Sequence, residues 1–579
     1  MSRSRRRNLK LEPPPAWRAR AMLGLFGVFA VMLGARAFEL QVLDQEFLNE
    51  EGAKRHLRTM EVPAVRGAIR DRRGAPLALS APTESVWAVP AALLDDPGRL
   101  SALAAELDYS TAELRDRLEN YRERQFLYLQ RQLSPAHAQR VMAVGAPGVF
   151  LQREYRRYYP GGETTAQLVG LTDIDGRGQE GIELSLNDQL DGEPGSRRVI
   201  KDRVGRVVED LAEFTPPDPG GDVRLTVDLR LQALAYRELK AAVLEHQASA
   251  GVAVMADPET GEILAMVSFP SFNPNSRESI PTGTLRHRAV TDTFEPGSTF
   301  KPLMVSRALD AGAFTRDSVI DTEGGRFRVG RLTVRDFRDY GDVDLRRLLT
   351  KSSNVGAAKV GLKLGPERLW QVYNDYGFGS ISGIRFPGER YGVLRNFARW
   401  DDVTTATAAY GYGVSVTALQ LIRAYSALAD DGRLRDLRLT LADKDDWQAE
   451  PRQVISADAA AKVRDLLGEV VSAEGTAGRA AVPGYRVVGK TGTVRKVEGA
   501  GYDAASHQSL FVGMAPADDP ALVTLVMVDE PGGGDYYGGL VAAPAFSNIM
   551  REALRILRVP PDNPATLTAD AVAKPESKS

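Results

Sequence analysis

The pattern of apolar and polar positions gives the chain an apolar start, a mixed middle and a more regular second half. Ala21–Ala35 is a run of fifteen residues without a charge. From Asp44 to about Phe214, charged residues alternate with short strand-like runs and with helical stretches such as Ser101–Asn120. A segment rich in Pro and Gly, 215–221, interrupts this pattern and is predicted to be a linker.

Beyond the linker, the periodicity predicts an alternation of strands and helices. Val223–Val227 alternates like a strand, and Leu229–Leu244 has helical spacing. Gly251–Met266 predicts a hairpin, and Leu510–Val528 supplies two further β-branched runs. A last helix is predicted over Pro544–Leu557. Strands and helices of this kind indicate an α+β domain.

The apolar start predicts a membrane anchor. Fifteen helical residues rise about 22 Å, and an extension to Leu40 reaches the ~30 Å of a hydrocarbon core. Arg36 and Glu39, inside that extension, lie three residues apart and can pair at the far interface. Basic residues precede the run and place the N-terminus inside: Arg3, Arg5, Arg6, Arg7, Lys10, Arg18 and Arg20. A cleaved signal peptide stays open as an alternative, because 35–37 reads Ala-Arg-Ala.

Composition narrows the chemistry. A net charge of −2 gives no reason to expect a nucleic-acid partner. The chain has no cysteine, which excludes disulfides, thiolate metal sites and a cysteine nucleophile. Its five histidines show no metal-ligand spacing, so we expect neither a metal nor another cofactor.

Three short motifs point to other functions, and each has a stronger structural explanation. Segment 484–491, GYRVVGKT, fits the phosphate-binding G-x-x-x-x-G-K-T, but its Tyr-Arg-Val-Val favours a strand and no helical pattern follows. Segment 176–181 matches G-x-G-x-x-G without a surrounding βαβ pattern, which indicates a turn. Segment 183–187, ELSLN, resembles the loop with the deacylating Glu of class A β-lactamases. In the chain this segment precedes Ser298, the candidate nucleophile described next, whereas the β-lactamase loop follows its nucleophile.

Three other motifs agree with one another. In chain order they are Ser298-Thr299-Phe300-Lys301, Ser352-Ser353-Asn354 and Lys490-Thr491-Gly492-Thr493. The second motif begins 54 residues after the first, and the third begins 192 residues after the first. Each is common by chance, and their combination is the signal. No G-x-S-x-G segment supports a Ser-His-Asp arrangement.

The residue types suit nucleophilic acyl transfer. Pro296-Gly297 can lead into a helix near Ser298, whose N-terminus favours a developing oxyanion. Lys301 lies one turn later and can take the serine proton if a neighbouring cation such as Lys490 lowers its pKa. Ser352 can relay a proton to the leaving amine, while Asn354 orients the lysine and the substrate amide.

The third motif suits binding of an extended peptide. Lys490, Thr491 and Thr493 lie in a strand-like run. Backbone groups of such a strand hold a peptide, and the side chains can meet a carboxylate.

Together EPGSTFKP, KSSNVG and GKTGT resemble the active-site motifs of the penicillin-binding proteins. Segments 66–80 and 157–170 are similar to motifs of the class B non-catalytic domain. Further segments resemble the division-specific type of that class, penicillin-binding protein 3, more than its elongation counterpart: 178–210, 269–275, 291–302, 408–414 and 535–544. Gln167 departs from the family, where we expect His, and this puts one local contact in doubt.

The resemblance implies a peptidoglycan D,D-transpeptidase that cross-links stem peptides at the septum and that β-lactams inhibit. Ser298 would attack the D-Ala-D-Ala bond, with the backbone N–H groups of Ser298 and Thr493 as oxyanion donors. Thr491, Gly492 and Thr493 would bind the substrate. Tyr536 and Tyr537 would border the cleft, although a surface turn explains this pair equally well.

The resemblance also implies a domain order and a place in the cell. We expect a single transmembrane helix, an elongated non-catalytic pedestal domain, and a transpeptidase domain with an antiparallel sheet flanked by helices. The boundaries we predict are a cytoplasmic tail 1–20, anchor 21–43, non-catalytic domain 44–214, linker 215–221, transpeptidase domain 222–557 and disordered tail 558–579. The domains would lie in the periplasm of a bacterial inner membrane.

The implied partners are stem peptides, strands made from lipid II, a SEDS-type glycan polymerase and other divisome membrane proteins. Several alternatives stay open. An elongation-type transpeptidase, a D,D-carboxypeptidase or a β-lactamase would use the same serine. A penicillin-sensing receptor would need more membrane helices, and an idle division scaffold would be expected to lack a motif residue.

Overall fold

The computed structural model describes residues 16–39, 57–201, 207–276, 280–441, 450–498 and 501–566. The strands, in chain order, are β1 Leu57–Val62, β2 Ile69–Arg70, β3 Pro76–Ala88, β4 Leu127–Leu133, β5 Val149–Tyr158, β6 Gly195–Lys201, β7 Val207–Thr215, β8 Val223–Arg224, β9 Ala250–Ala256, β10 Ile263–Phe269, β11 Ile320–Asp321, β12 Arg326–Val329, β13 Leu332–Arg335, β14 Asp342–Val343, β15 Arg433–Leu434, β16 Arg452–Gln453, β17 Val488–Glu498, β18 Gly501–Ala515 and β19 Leu522–Asp529.

The helices interleave with these strands. In chain order they are α1 Ala16–Phe38, α2 Pro90–Leu94, α3 Pro97–Glu106, α4 Thr111–Asn120, α5 Pro135–Ala143, α6 Ala166–Val169, α7 Gly181–Ser185, α8 Asn187–Leu190, α9 Leu229–Glu245, α10 Arg288–Thr291, α11 Lys301–Asp310, α12 Leu345–Thr350, α13 Asn354–Leu364, α14 Pro366–Asp375, α15 Asp402–Ala408, α16 Ala418–Ala429, α17 Ala457–Gly468 and α18 Gly538–Leu557.

The chain folds into two compact units that are discontinuous in sequence. Unit 1 comprises residues 1–63, 83–154 and 194–218, and unit 2 comprises 64–82, 155–193 and 219–579. The predicted boundaries at 214 and 222 divide the chain by sequence position alone, and they stay a prediction.

Unit 1 contains two β-structures and a small helical core. Strands β1, β6 and β7 form an antiparallel sheet, while β4 pairs with the Glu84–Ala88 end of β3. Leucines of α2, α3 and α4 pack in a separate hydrophobic core, Leu93, Leu100, Leu103, Leu114 and Leu118. The helical stretch predicted over Ser101–Asn120 is two helices, because Asp108 adopts a φ of +57° and Ser110 begins α4 with a capping box.

Unit 2 is built on a five-stranded antiparallel sheet in the order β10-β9-β19-β18-β17. Every residue of β9 and β19 is buried, so helices cover both faces of the sheet centre. α9 and α18 pack on the sheet and on each other, and α16 packs on β9 and β19. β17, which carries the Lys490 motif, lies at an edge of the sheet. The predicted hairpin and the two later strands are confirmed.

Two predicted elements differ in extent. The strand expected over Val223–Val227 ends at Arg224, and beyond it Leu225 forms only an isolated antiparallel bridge with Thr440, where the Thr226 N–H donates to the Leu439 carbonyl. The last helix begins at Gly538 rather than Pro544, and Pro544 lies inside it. Gly538 suits this start, because an added Cβ would lie 2.5 Å from the Gly492 carbonyl oxygen. The helix predicted from Leu229 is confirmed and ends at Glu245.

The N-terminal helix agrees with the predicted anchor over the residues described. Arg20–Phe38 is long and apolar enough to cross a membrane, with a mean hydropathy of 1.9. Arg36 donates a 2.7 Å hydrogen bond to Glu39, as the spacing predicts. Residues 40–43 of the predicted anchor and residues 1–15 of the predicted tail lie outside the described residues.

The C-terminal segment is ordered further than predicted. Asn563 pairs with Gly484, and the Tyr485 hydroxyl donates to the Val559 carbonyl at 2.6 Å. These contacts hold the start of the segment predicted to be disordered against unit 2. The rest, 567–579, lies outside the described residues.

The structure explains the three misleading motifs. Lys490 and Thr491 lie within β17, so no helix follows the G-x-x-x-x-G-K-T match and the phosphate cradle is excluded. The stretch around Gly176 contains a turn at positive φ. Glu183 is fully buried and accepts 2.7 Å hydrogen bonds from Arg66 and Arg157, which occupy both of its carboxylate oxygens.

Gln167, the departure from the family, has its amide satisfied. Its Nε2 donates to the carbonyls of Pro270 and Thr284 at 2.9 and 3.1 Å. The Ser271 hydroxyl donates to its Oε1 at 3.0 Å. A neutral amide therefore supports this local contact without a histidine.

Candidate active site

Ser298 lies where a tight turn enters a helix. Gly297–Phe300 forms one turn of 3₁₀ helix, and α11 continues from Lys301. Gly297 has a φ of +54°, and an added Cβ would lie 2.7 Å from Val494 of β17. A glycine is needed before Ser298 because only glycine adopts this conformation freely at such a close approach.

The segment is fixed from behind by buried aromatic residues. The Phe300 ring packs against Tyr373 and Phe378, with centroids 4.5 and 4.6 Å away. The Tyr425 hydroxyl donates to the Thr299 carbonyl at 2.8 Å. Ser298 itself is half-buried, so a rigid base presents its hydroxyl to the solvent side.

The first two motifs meet through a chain of hydrogen bonds. The Ser352 hydroxyl lies 3.0 Å from the Ser298 hydroxyl, and Lys301 Nζ lies 3.2 Å from Ser352 Oγ. Lys301 also donates to the Ser352 carbonyl at 2.6 Å and to Asn354 Oδ1 at 2.8 Å. These contacts connect Lys301 to Ser298 through Ser352, which is a route for a proton in either direction.

Asp336 holds the second motif in place, and the sequence analysis did not identify it. Its carboxylate accepts from Ser353 Oγ at 2.6 Å, from the Asn354 backbone N–H and from the Val355 N–H at 3.0 Å. It thereby caps the start of α13, as an acidic side chain at a helix N-terminus does. Ser352, just before this cap, has a φ of +58°, an uncommon conformation for a residue with a side chain.

The two lysines have lowered pKa values. Burial lowers the pKa of Lys301 well below its ordinary value, and the nearby charge of Lys490 lowers that pKa further, while Asp336 opposes the shift. Burial alone lowers the pKa of Lys490 to about 7. A neutral lysine is a base, so the lowered pKa favours the form of Lys301 that can accept the serine proton.

The third motif forms the opposite side of the site. Lys490 is buried and lies 3.2 Å from Thr491 Oγ1, which in turn lies 3.0 Å from the Thr476 hydroxyl. Thr493 Oγ1 accepts from the Gly538 N–H at 3.0 Å, which ties β17 to the start of α18. Gly492 fits because an added Cβ would lie 2.6 Å from Leu510.

Ser298 opens into a cavity of about 370 Å³. Ser352, Asn354, Thr491, Thr493 and Tyr537 also line it, whereas Lys301 and Lys490 are buried beneath. Tyr536 stacks between Tyr537 and His507, with centroids 4.5 and 4.2 Å away. Tyr537 therefore lines the cavity, and Tyr536 packs behind it without lining the cavity itself.

Three cavity residues carry no sequence signal: Phe337, Tyr340 and Thr476. They reach the site through loops, and their residue types are common elsewhere. Among the residues that the structure describes, no group of three or more His, Asp or Glu side chains could hold a metal ion.

Family models match both halves of the chain. The penicillin-binding protein transpeptidase domain matches residues 251–551, which include all three motifs. The penicillin-binding protein dimerisation domain matches residues 61–225.

Whole-chain relatives are peptidoglycan D,D-transpeptidases by name. The chain is 42% identical to the probable peptidoglycan D,D-transpeptidase PbpC of Pseudomonas aeruginosa, covering 93% of this chain and 95% of the relative. It is 40% identical to the probable peptidoglycan D,D-transpeptidase PenA of Neisseria gonorrhoeae, covering 96% of this chain and 94% of the relative. It is 38% identical to the peptidoglycan D,D-transpeptidase FtsI of Escherichia coli, covering 94% of this chain and 93% of the relative.

Solved structures agree. The transpeptidase domain of Burkholderia pseudomallei penicillin-binding protein 3 is 40% identical, covers 58% of this chain and 97% of its own, and has a TM-score of 0.54. A peptidoglycan synthetase of Bifidobacterium adolescentis is 25% identical, covers 90% of this chain and 98% of its own, and has a TM-score of 0.70. The fold, the family models and the relatives lead to one conclusion: the chain belongs to the class B penicillin-binding proteins, the peptidoglycan D,D-transpeptidases.

Proposed function

We propose that this transpeptidase cross-links stem peptides at the division septum through an acyl-enzyme on Ser298, and that β-lactams inhibit it by acylating the same serine. The observation that carries the proposal is the hydrogen-bonded series Ser298–Ser352–Lys301, with a buried lysine at its end. The lowered pKa of Lys301 suits removal of a proton from Ser298, because burial disfavours the charged form of this lysine.

In the first half-reaction, Ser298 Oγ attacks the carbonyl carbon of the D-Ala-D-Ala peptide bond. The serine proton passes to Lys301 by way of Ser352, and the backbone N–H groups of Ser298 and Thr493 receive the oxyanion. The C–N bond then breaks, the proton returns to the leaving amine, and free D-Ala departs. The Ser298 ester remains.

In the second half-reaction, an amine of a neighbouring strand attacks the ester carbon. A new C–N bond forms, the bond from carbon to Ser298 Oγ breaks, and the amine proton returns to the serine. The threonines of β17 and Lys490 bind the donor carboxylate, since a cation beside hydroxyl donors suits that group.

A synthase and a hydrolase differ in the fate of the ester. Glu183, the residue of the β-lactamase-like motif, is enclosed by two arginines and is not available as a base for water. Purified full-length protein should therefore bind about one penicillin per chain and remain acylated for many minutes. Sustained turnover of a chromogenic cephalosporin would establish the hydrolase instead.

The division role is supported by the relative named FtsI and by the likeness to a penicillin-binding protein 3 domain. A SEDS-type polymerase and other divisome proteins are the proposed partners. Depletion in the native cell should give filaments of normal width, because lateral growth continues without septal cross-linking. Swollen or rounded cells would instead identify an elongation enzyme.

The apolar helix Arg20–Phe38 supports a single-pass anchor, with the chain that follows the anchor in the periplasm. A reporter fused after Leu43 should be active outside the cytoplasm, and the mature chain should still begin near Met1. An N-terminus at Phe38 would establish cleavage.

A further inference from the structure

The cavity around Ser298 has two walls of different chemistry. One wall consists of the threonines of β17 with Tyr537 and the start of α18. The other consists of Phe337 and Tyr340, from the loop between β13 and β14, together with Lys351, Ser352 and Asn354. The proposed function assigns the first wall to the donor peptide and leaves the aromatic side chains of the second without a role.

Phe337 is exposed to an unusual degree for such a position. Its side chain is 85% exposed, more than any other large hydrophobic residue that the structure describes, the membrane helix included. An isolated exposed apolar residue needs no explanation on an ordinary surface, but this one borders the cavity of the nucleophile.

The ring stands on an anchored loop. Asp336, directly before it, accepts three hydrogen bonds from Ser353, Asn354 and Val355. The position of Phe337 is therefore tied to the helix that carries the second motif. Because the loop is already fixed at Asp336, binding to this ring costs less ordering of the backbone.

The sequence of steps in the proposed reaction indicates which ligand passes the wall that contains Phe337. The D-Ala amine leaves beside Ser352, which returns its proton in the proposed mechanism. By microscopic reversibility, the incoming amine must occupy the same place. The donor lies along β17, since an extended peptide adds to an edge strand, so the acceptor has to enter past the second wall.

We propose that Phe337 is the acceptor platform, a positioning residue that packs against the aliphatic part of the amine-bearing side chain of the acceptor peptide. Tyr340 forms the inner part of the same surface. Packing of methylene groups on the ring places the amine next to Ser352 and the ester, and it excludes water from that side. This inference rests on the proposed acyl-enzyme.

The test separates attack by an amine from attack by water on one acyl-enzyme. Full-length protein in detergent is supplied with a D-alanyl thioester donor and with a synthetic stem peptide that carries a free diamino-acid side chain. The amide product and the hydrolysed product are quantified. Phe337→Ala should lower the ratio of amide to acid about tenfold, with most of the change in the KM for the acceptor, and should leave the rate of penicillin acylation unchanged.

Phe337→Tyr should restore the ratio, because the ring is retained. The matched control is Phe214→Ala, another exposed phenylalanine, which should have no effect. An unchanged ratio in Phe337→Ala overturns the acceptor platform, and so does a parallel loss of penicillin acylation, which would assign the ring to the donor. If the unaltered protein forms no acyl-enzyme at all, the proposed function fails instead.

Discussion

Two groups of ionisable side chains buried in unit 2 have partners that differ in kind. Glu183 has no exposed surface, and Arg66 and Arg157 are 6% and 2% exposed, yet each arginine makes a 2.7 Å ion pair with it. Lys301 and Lys490 have no exposed surface either, and their described hydrogen bonds go to neutral oxygens.

The difference in partners indicates a structural role for the Glu183 cluster and a chemical role for the lysines. A buried charge with a partner is stable as a charge, so the Glu183 cluster joins distant segments and has no need to react. A buried lysine without a carboxylate partner tends to lose its proton. The lysine cluster therefore costs folding stability and holds an amine that can act as a base, which is typical of functional sites.

The largest expected effect comes from removing the proposed base. Lys301→Met should lower the rate of penicillin acylation by about 10²- to 10⁴-fold, the usual contribution of a positioned base. It should also stabilise the fold by about 0.5–2 kcal/mol, since a long apolar side chain replaces a poorly compensated amine. Stopped-flow acylation and thermal unfolding measure the two effects.

Lys462→Met is the matched control, because this lysine is exposed and pairs with Asp458. It should change neither quantity by much. An acylation rate in Lys301→Met equal to that of the parent would remove Lys301 from the mechanism.

The second prediction concerns Glu183, whose buried carboxylate pairs with two arginines. Glu183→Gln leaves two arginines buried without a full counter-charge, so it should lower the free energy of unfolding by about 3–5 kcal/mol. Penicillin acylation per folded molecule should be unchanged. Glu163→Gln, at a partly exposed ion pair with Lys240, should cost less than about 1 kcal/mol. A stable Glu183→Gln protein whose acyl-enzyme persists much longer than in the parent would indicate that Glu183 activates water after all.

A smaller effect is expected at the cap of α13. Asp336→Asn keeps the size of the side chain but weakens three hydrogen bonds, so Ser352 and Asn354 lose part of their alignment. Acylation should fall about tenfold, which corresponds to about 1.4 kcal/mol on the barrier. Asp401→Asn weakens a comparable cap of α15 in the same way and should leave acylation unchanged, so equal effects of the two would contradict a specific role.

The smallest effect is a pH dependence. The pKa of Lys490 is lowered to about 7, so its charge is present below that pH and is lost above it. Acylation by an anionic penicillin should therefore decline severalfold as the pH rises through about 7. The methyl ester of the same penicillin lacks the carboxylate and should show a weaker decline. Identical profiles for the acid and the ester would exclude carboxylate binding by Lys490.

The sequence could predict those parts of the site that lie in short contiguous motifs. Ser298 and Lys301 are neighbours on one turn, and the strand preference of Lys490–Thr493 is local. The structure brings these motifs together at one cavity, as their shared chemistry indicates.

Tertiary contacts explain what the sequence could not predict. Asp336 is separated from Ser353 by a turn, the short strand β14 and the short helix α12, and nothing in its sequence neighbourhood marks it as a cap. Phe337 is notable because its side chain is exposed, and the pattern of apolar positions in the sequence does not show which side chains are exposed in a loop. The start of α18 was misplaced because Pro544 favours a helix start, whereas a contact with Gly492 decides the position of Gly538.

The identity of the acylated residue tests the account most directly. Full-length protein is incubated with penicillin, digested and mapped by mass spectrometry, in parallel with Ser298→Ala. We expect one adduct per chain, on the peptide that contains Ser298, and none in the folded variant. An adduct on any other residue, or labelling that persists in Ser298→Ala, would contradict the account.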